Sequence, residues 1–334
     1  MARDMDFLYV SSRVRALETK LLTANVLDRI LEAESTEEAF KVLGDTEYGN
    51  ELANLENVYD FETVLESSLK RTYKTIRDSL KDRRIVDFFT LRNDYHNLKV
   101  ILKQKIVNQE VTGYLSKLGQ VPVDELRKMA DEDITAIVPD SFKRAFAKAW
   151  EAYEATQEPQ QIDIVIDKAL FEELKSLVEE ISDDLLQDYF DSLSDLTNIK
   201  TMIRLKYMDS DVRVLENALL PGGKLDSDFF LKQFTEQIQA IIDALMSSPY
   251  QKVVEEGLLR WVNTGSPALY ERLADNYLLN LVRAGLYKPF GPEPVIGYLV
   301  AKEYETNVLR ILLVGKINGI SSEMIKERLR DVYV

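Results

Sequence analysis

An all-α protein is predicted, built from three similar helical units, and three observations predict it. Glycine and proline are scarce, 13 and 9 in 334 residues, which leaves too little turn chemistry for the many tight connections of an all-β fold. Apolar residues recur at steps of three and four, the spacing of one helix face, and convincing strand alternation is absent. One helix pattern, finally, recurs three times at intervals of about a third of the chain.

The elements follow in order. Ser35-Thr36-Glu37-Glu38 has the spacing of a capping box ahead of the apolar Ala39-Phe40-Lys41-Val42-Leu43. In 85–106 the residues Phe88, Leu91, Tyr95, Leu98 and Leu102 form a stripe down one long helix. Pro122 ahead of Asp124-Glu125 reads as a helix opening, with acids near the positive dipole end. Pro267 opens another helix, which Gly285 and Pro289 close. The clearest break is Lys288-Pro289-Phe290-Gly291-Pro292-Glu293-Pro294, a rigid loop before the last long helix. More than ten helices with short connections are expected.

The repeated helix is Asp94-x-x-Asn97-Leu98-Lys99-x-Ile101-Leu102-x-x-Lys105 in its first copy. It returns as Asp195-x-x-Asn198-Ile199-Lys200-x-Met202-Ile203-x-x-Lys206 and as Glu305-x-x-Val308-Leu309-Arg310-x-Leu312-Leu313-x-x-Lys316, spaced by 101 and 110 residues. A stripe of Leu and Ile would recur by chance in any helical protein. An acid, a base five residues on and a lysine eleven on, three times over, would not. A second element follows each copy: Val121-x-x-Asp124-x-Leu126, Leu225-x-x-Asp228-x-Phe230 and Ile320-x-x-Glu323-x-Ile325, each read as a turn into a short helix. A third, Leu43-x-x-Thr46-x-Tyr48, returns as Leu245-x-x-Ser248-x-Tyr250. The repeats divide the chain into units at 1–115, 116–218 and 219–334.

Composition narrows the function. Hydrophobic residues at 46% and charged residues at 30% suit an ordered globular chain. With no cysteine there is no disulfide, thiol nucleophile or cysteine-held zinc, and His96 as the single histidine removes most routes to a histidine-ligated metal or a Ser-His-Asp triad. A net charge of −15 argues against nucleic acid and against direct adhesion to anionic lipid. Residues 1–6 lack the apolar stretch of a signal peptide. No run approaches the ~18 apolar residues of a membrane span, so a soluble chain is expected, with any membrane role exercised through a protein partner. Pro221-Gly222-Gly223-Lys224 lacks the spacing of a phosphate loop and reads as a tight turn. The paired acids Glu37-Glu38, Glu172-Glu173, Glu179-Glu180, Asp183-Asp184 and Glu255-Glu256 read as solvated helix surface, and Lys81-Asp82-Arg83-Arg84 as a hydrated helix junction. No catalytic residue, cofactor, metal or small-molecule ligand is expected.

The stretch Tyr298-Leu299-Val300-Ala301-Lys302-Glu303-Tyr304-Glu305, followed by Arg310 and by Gly315-Lys316-Ile317-Asn318-Gly319, resembles the end of the C subunit of V-type ATPases, the family of the eukaryotic d subunit. Leu43-Gly44-Asp45-Thr46-Glu47-Tyr48-Gly49 and Asp87-Phe88-Phe89 with Asp94-x-x-Asn97 resemble the family's first unit, so the likeness spans the chain. One departure is Asn307-Val308, where Arg-Asn is usual in the family. The resemblance implies three helical units around a pseudo-threefold axis, forming a funnel on the cytoplasmic face of the membrane. It implies a non-catalytic central-stalk subunit that joins the axle (subunits D and F) to the rotor ring for ATP-linked proton or sodium transport, binding neither nucleotide nor metal. Asp94, Asn97, Lys99, Asp195, Asn198, Lys200, Lys302, Glu303, Glu305, Arg310 and Lys316 are the residues to watch. They either bridge neighbouring helices or line a surface for the axle, and a charge pattern repeated three times favours the first. The alternative function is a free-standing helical scaffold for cytosolic partners, but a period near 100 is far from the ~34–47 residues of the common helical repeats.

Overall fold

Seventeen α-helices, and no strand, are present among the described residues of a computed structural model: 6–53, 55–107, 112–133 and 135–333. Residues 1–5, part of the stretch read above as lacking a leader, lie outside them. The chain forms two compact units, one of Met1–Arg83 with Ile238–Val334 and one of Arg84–Gln237.

The first unit begins with α1 (Leu8–Glu18), α2 (Ala24–Glu32), α3 (Thr36–Gly44), α4 (Gly49–Leu52) and α5 (Phe61–Arg77). At α3 the Ser35 half of the capping box forms, its hydroxyl accepting from the Glu38 amide at 3.1 Å, while Glu38 reaches back one residue further, to accept from the Glu34 amide at 2.8 Å. The unit resumes after residue 237 with α13 (Ile238–Leu245), a π-helical turn at Val253–Leu258 running into α14 (Leu259–Thr264), α15 (Ala268–Val282), α16 (Pro292–Ile317) and α17 (Ser322–Lys326). Helix α16 starts inside the proline-rich segment rather than after it. Proline needs no amide partner in a first turn and arrives with a helical φ, so Pro292 and Pro294 open the helix.

The hydrophobic core of this unit gathers residues from far-apart stretches of sequence. Leu27, Ile30 and Leu31 of α2, Leu43 of α3 and Leu65 of α5 pack around Val308, Leu309, Leu312 and Leu313 of α16. Helix α16 has 18 of its 26 residues buried. At about 1.5–3 kcal/mol for each fully buried aliphatic side chain, this packing dominates what holds α16 to the N-terminal helices.

The second unit contains α6 (Arg84–Val107), α7 (Val123–Ala130), α8 (Asp140–Thr156), α9 (Gln160–Ile181), α10 (Asp184–Tyr207), α11 (Val212–Ala218) and α12 (Ser227–Thr235). All five stripe residues of α6 are buried, together with Ile85, Phe89 and Ile101, so the helix is enclosed on more than one side. Pro122 stands just before α7, as its sequence position indicated. Helices α8 and α9, joined at 157–159, pack against each other and against α6.

Candidate functional site

The repeated acid and lysine take part in one kind of joint, built three times. Asp94, 1% exposed, accepts hydrogen bonds from the Gln120 and Val121 amides, both at 3.0 Å, just ahead of α7. Asp195, fully buried, accepts from the Lys224 and Leu225 amides at 2.8 and 3.2 Å, just ahead of α12. Glu305 accepts from the Leu22 amide, just ahead of α2. At the far end, Lys105 donates to the Ala130 carbonyl at 2.9 Å, Lys206 to Phe234 at 2.7 Å and Lys316 to Ala33 at 2.7 Å. Each long helix therefore grips a short one, with a carboxylate where the amides are free and an ammonium where the carbonyls are free. The spacing fits the task. Eleven residues of long helix rise about 16 Å, enough to span helices of 8 or 9 residues with their flanks.

The asparagines complete two of the joints. Asn97 accepts from the Ser116 amide at 2.8 Å and donates to its carbonyl at 2.9 Å; Asn198 does the same with Leu220, at 2.9 and 3.0 Å. In the third copy the position is Val308, which is buried in the apolar core. The residue corresponding to Ser116 and Leu220 is there Leu17, inside α1. A helical backbone satisfies its own polar groups, so an apolar side chain suits that place.

The third joint takes its short helix from the other end of the chain. Ile320-x-x-Glu323-x-Ile325 follows the third copy in sequence as Val121 and Leu225 follow the first two. It does form a short helix, α17, but the place against Glu305 belongs to Leu22. Leu22-x-x-Asn25-x-Leu27 has the spacing of the other two copies and enters α2 as they enter α7 and α12. Helix α17 is bound elsewhere: the Ser322 hydroxyl donates to the Leu31 carbonyl at 2.8 Å, and Ile325 is buried. The first two joints also rely on glycine. A Cβ at Gly119 would lie 2.3 Å from an Asp94 carboxylate oxygen, and one at Gly223, where φ is 95°, would lie 2.2 Å from Asp195. The third joint has Lys20 at that position and a longer acid, so the extra methylene of Glu305 supplies reach where the backbone does not come as close.

The remaining residues singled out in the sequence fall into two groups. Lys99 pairs with Asp167 of α9 at 2.7 Å, and Arg310 pairs with Glu62 of α5 at 2.7 Å and donates to Asn307 at 2.7 Å. Lys200 is half-buried on α10. Lys302, Glu303 and Glu305 belong to a buried cluster instead. Lys302, with no exposed surface, meets Glu305 at 2.5 Å, Glu47, and the Tyr48 hydroxyl at 2.9 Å, its ammonium 4.3 Å from the Tyr48 ring centre. Tyr48 donates to Glu305 at 2.7 Å, and Tyr73 to Glu303. Burial, then the neighbouring Glu305 charge, holds the Tyr48 hydroxyl well above the ordinary phenol range, and burial does the same for Tyr298. With its ammonium so surrounded, Lys302 is a pin between α16 and the α3–α4 turn.

Among the described residues no group of three His, Asp or Glu side chains is placed to hold a metal. His96 is exposed, with Nε2 2.8 Å from the Tyr114 carbonyl oxygen. At Pro221–Lys224 the backbone amides of Gly223 and Lys224 are already bonded to Asp191 and Asp195, and the Lys224 ammonium to Asp188 at 2.8 Å. Glu173 accepts from the Tyr95 hydroxyl at 2.6 Å. Lys81 pairs with Asp6, and Arg84 with Glu180 at 3.3 Å. No helix among the described residues is long and apolar enough to cross a membrane.

Compared with known proteins, residues 10–328 match the profile of the ATP synthase (C/AC39) subunit family. The chain belongs to this family. All three joints and the buried Lys302 cluster fall within the matched stretch of this C/AC39 subunit. Among its relatives, the C subunit of the V-type sodium ATPase of Enterococcus hirae is 25% identical over 333 residues, covering 98% of this chain and 99% of the relative. The C subunits of the A-type ATP synthases of Methanothermobacter thermautotrophicus and Methanocaldococcus jannaschii are 29% and 24% identical, covering 97% of this chain and 87% and 86% of theirs. The sequence reading of this C/AC39 subunit missed Leu22, Gly119, Gly223, Glu47 and Tyr73. The spacing of Leu22, Asn25 and Leu27 was a usable signal for the first, and a glycine two residues before Val121 and Leu225 for the next two. Glu47 stood within a stretch noted for its resemblance but without a role, and nothing local marked Tyr73.

Proposed function

We propose that this chain is the non-catalytic rotor subunit of the central stalk of a V/A-type ATPase or ATP synthase. In this role it couples the axle, subunits D and F, to the membrane rotor ring for proton or sodium transport, peripheral to the membrane on its cytoplasmic face. The observation that carries the reading is the family match over 10–328, joined to relatives named as the C subunit of such machines along nearly their whole length. The repeated joint supports it physically. A torque-bearing adaptor needs helices fixed to one another at both ends, and each joint ties a short helix by an acid at one end and a lysine at the other. Each joint ties the long helix of one of the units 1–115, 116–218 and 219–334 to the short helix that follows at the start of the next, the last returning to residues 22–33 of the first, and a cycle of three such ties suits a pseudo-threefold funnel. Asp94, Asn97, Lys99, Asp195, Asn198, Lys200, Lys302, Glu303, Glu305, Arg310 and Lys316 then act chiefly as structural residues of that funnel.

The test is a pull-down of purified axle subunits D and F, without nucleotide, across a salt series. Binding at low salt that weakens as salt screens it over a Debye length of ~8 Å at physiological ionic strength is expected. No binding to axle or ring at low salt overturns the reading, and so does micromolar ATP affinity of the isolated chain.

A further inference from the structure

Residues 327–333, which follow α17, form neither helix nor strand, yet they are held along their length. One face of α15 holds them. Arg272 donates to the Glu327 carbonyl at 2.9 Å, Asp275 pairs with Arg330 at 2.9 Å, and Asn276 accepts from the Asp331 amide at 2.9 Å. Arg283, directly beyond the helix, donates to the Val332 and Tyr333 carbonyls. Positions 272, 275, 276 and 283 all fall within about a third of the helix circumference. The other side of the segment covers the third joint. Leu329 and Val332 pack on the core that holds α2 to α16. Val332 and Tyr333 close a cavity of only about 20 Å³ against Leu22, Leu27, Glu305 and Val308. Tyr333, 5% exposed, reaches so far toward α16 that only a glycine fits opposite it: a Cβ at Gly297 would lie 2.3 Å from its hydroxyl oxygen.

Two groups oppose this closure. The Tyr333 hydroxyl, though buried, has no hydrogen-bond partner among the described residues, and neither has one carboxylate oxygen of the buried Glu18. Glu18 stands near enough for its charge to act on that hydroxyl. A buried polar group left unbonded costs stability, which it recovers when water reaches it. The bonds from Arg272 and to Asn276 lie at the surface, where water can replace them, and there is no helix in 327–333 to unwind. The segment thus has a fitted seat, weak fastenings and a reason to leave. We infer that residues 327–333 are a releasable strap: seated, they close the third joint, and their release opens it. The other two joints lie wholly within Arg84–Gln237 and share no residue with the strap, so they stay shut when it leaves.

The test reads strap and joint separately in the full chain, by limited trypsin cleavage after Arg330 and by hydrogen exchange of the Leu22 amide. Gly297→Ala drives a methyl into the Tyr333 hydroxyl, eight residues before Glu305. It speeds cleavage and Leu22 exchange together, each at least about tenfold, while the Val121 and Leu225 amides keep their wild-type rates. Adding Tyr333→Phe removes the clashing oxygen and returns both rates most of the way. Because a core variant can fail to fold, Arg283→Ala gives a second route: it removes two fastenings from the surface and produces the same pair of changes, smaller. Cleavage that speeds while Leu22 keeps its protection overturns the inference, since the strap would then cover the joint without closing it. So does acceleration of all three amides together, a failure of Tyr333→Phe to restore Gly297→Ala, or an Arg283→Ala variant that changes neither rate.

Discussion

The joints at Asp94 and Asp195 and the joint at Glu305 do the same work with different materials. The first two tie together segments that follow one another along the chain, 25 to 30 residues apart. They use a short acid, a glycine that lets the backbone approach it, and an asparagine that pairs with a further peptide group. The third ties residues 283 apart, has neither glycine nor asparagine, and substitutes a longer acid, an apolar core and a buried lysine. Where the chain itself supplies proximity, backbone hydrogen bonds suffice. Where it does not, burial and charge supply what chain connectivity otherwise provides.

The largest effect belongs to the third joint. Lys302→Met leaves the buried Glu305 and the half-buried Glu47 without their cation, and a loss of about 3–5 kcal/mol is expected by urea unfolding, the cost of removing one partner of a buried ion pair. A loss below about 1 kcal/mol would mean that the pin contributes no more than a surface pair. Next come the carboxylates of the other two joints. Asp94→Ala and Asp195→Ala each strand two amides, and a cost of about 1.5–3 kcal/mol follows for bonds to a charged group. Hydrogen exchange gives the sharper readout: Asp94→Ala speeds Gln120 and Val121 and leaves Lys224 and Leu225 alone, with the reverse for Asp195→Ala. If both variants loosen both sites, the joints are not independent and the comparison breaks.

A smaller contrast lies in the glycines. Gly119→Ala pushes a methyl into the Asp94 carboxylate, and about 1–3 kcal/mol of overpacking cost is expected, whereas Lys20→Ala, at the corresponding place in the third joint, should stay within about 0.5 kcal/mol. Thermal unfolding of the two variants side by side decides it; equal effects would remove the account of why Glu305 is longer. Smallest is Arg310→Ala, which breaks a half-exposed pair with Glu62 and should cost at most about 1 kcal/mol. Its stability loss is expected to match or exceed any loss of axle affinity. Unchanged melting with failed binding would make Arg310 a partner contact.

The all-helical class and the three long helices were legible because periodicity and a repeated charge pattern are local signals. The two joints whose partners lie downstream were legible as well, as a second element at a fixed distance. The third was not, because its partner comes from the opposite end of the sequence, and a downstream search meets Ile320 and Glu323 first. Lys302 stood out only through resemblance. A lysine in sequence reads as solvent-facing, and its burial depends on Glu47, Tyr48 and Glu305 arriving together.

The 283-residue span of the Glu305–Leu22 contact has a consequence for how the protein is made. At ~5–20 residues per second, a ribosome needs on the order of 15–60 s to synthesise the interval between Leu22 and Glu305. The stretch Arg84–Gln237 emerges whole and can complete its own joints in order during that time. Leu27, Ile30, Leu31 and Leu43 cannot reach the α16 side chains that cover them until translation is almost finished. Helices α2 and α3 thus spend most of synthesis as nascent chain with apolar faces uncovered, the state that holding chaperones recognise, and a transcript truncated ahead of residue 305 would leave them so permanently.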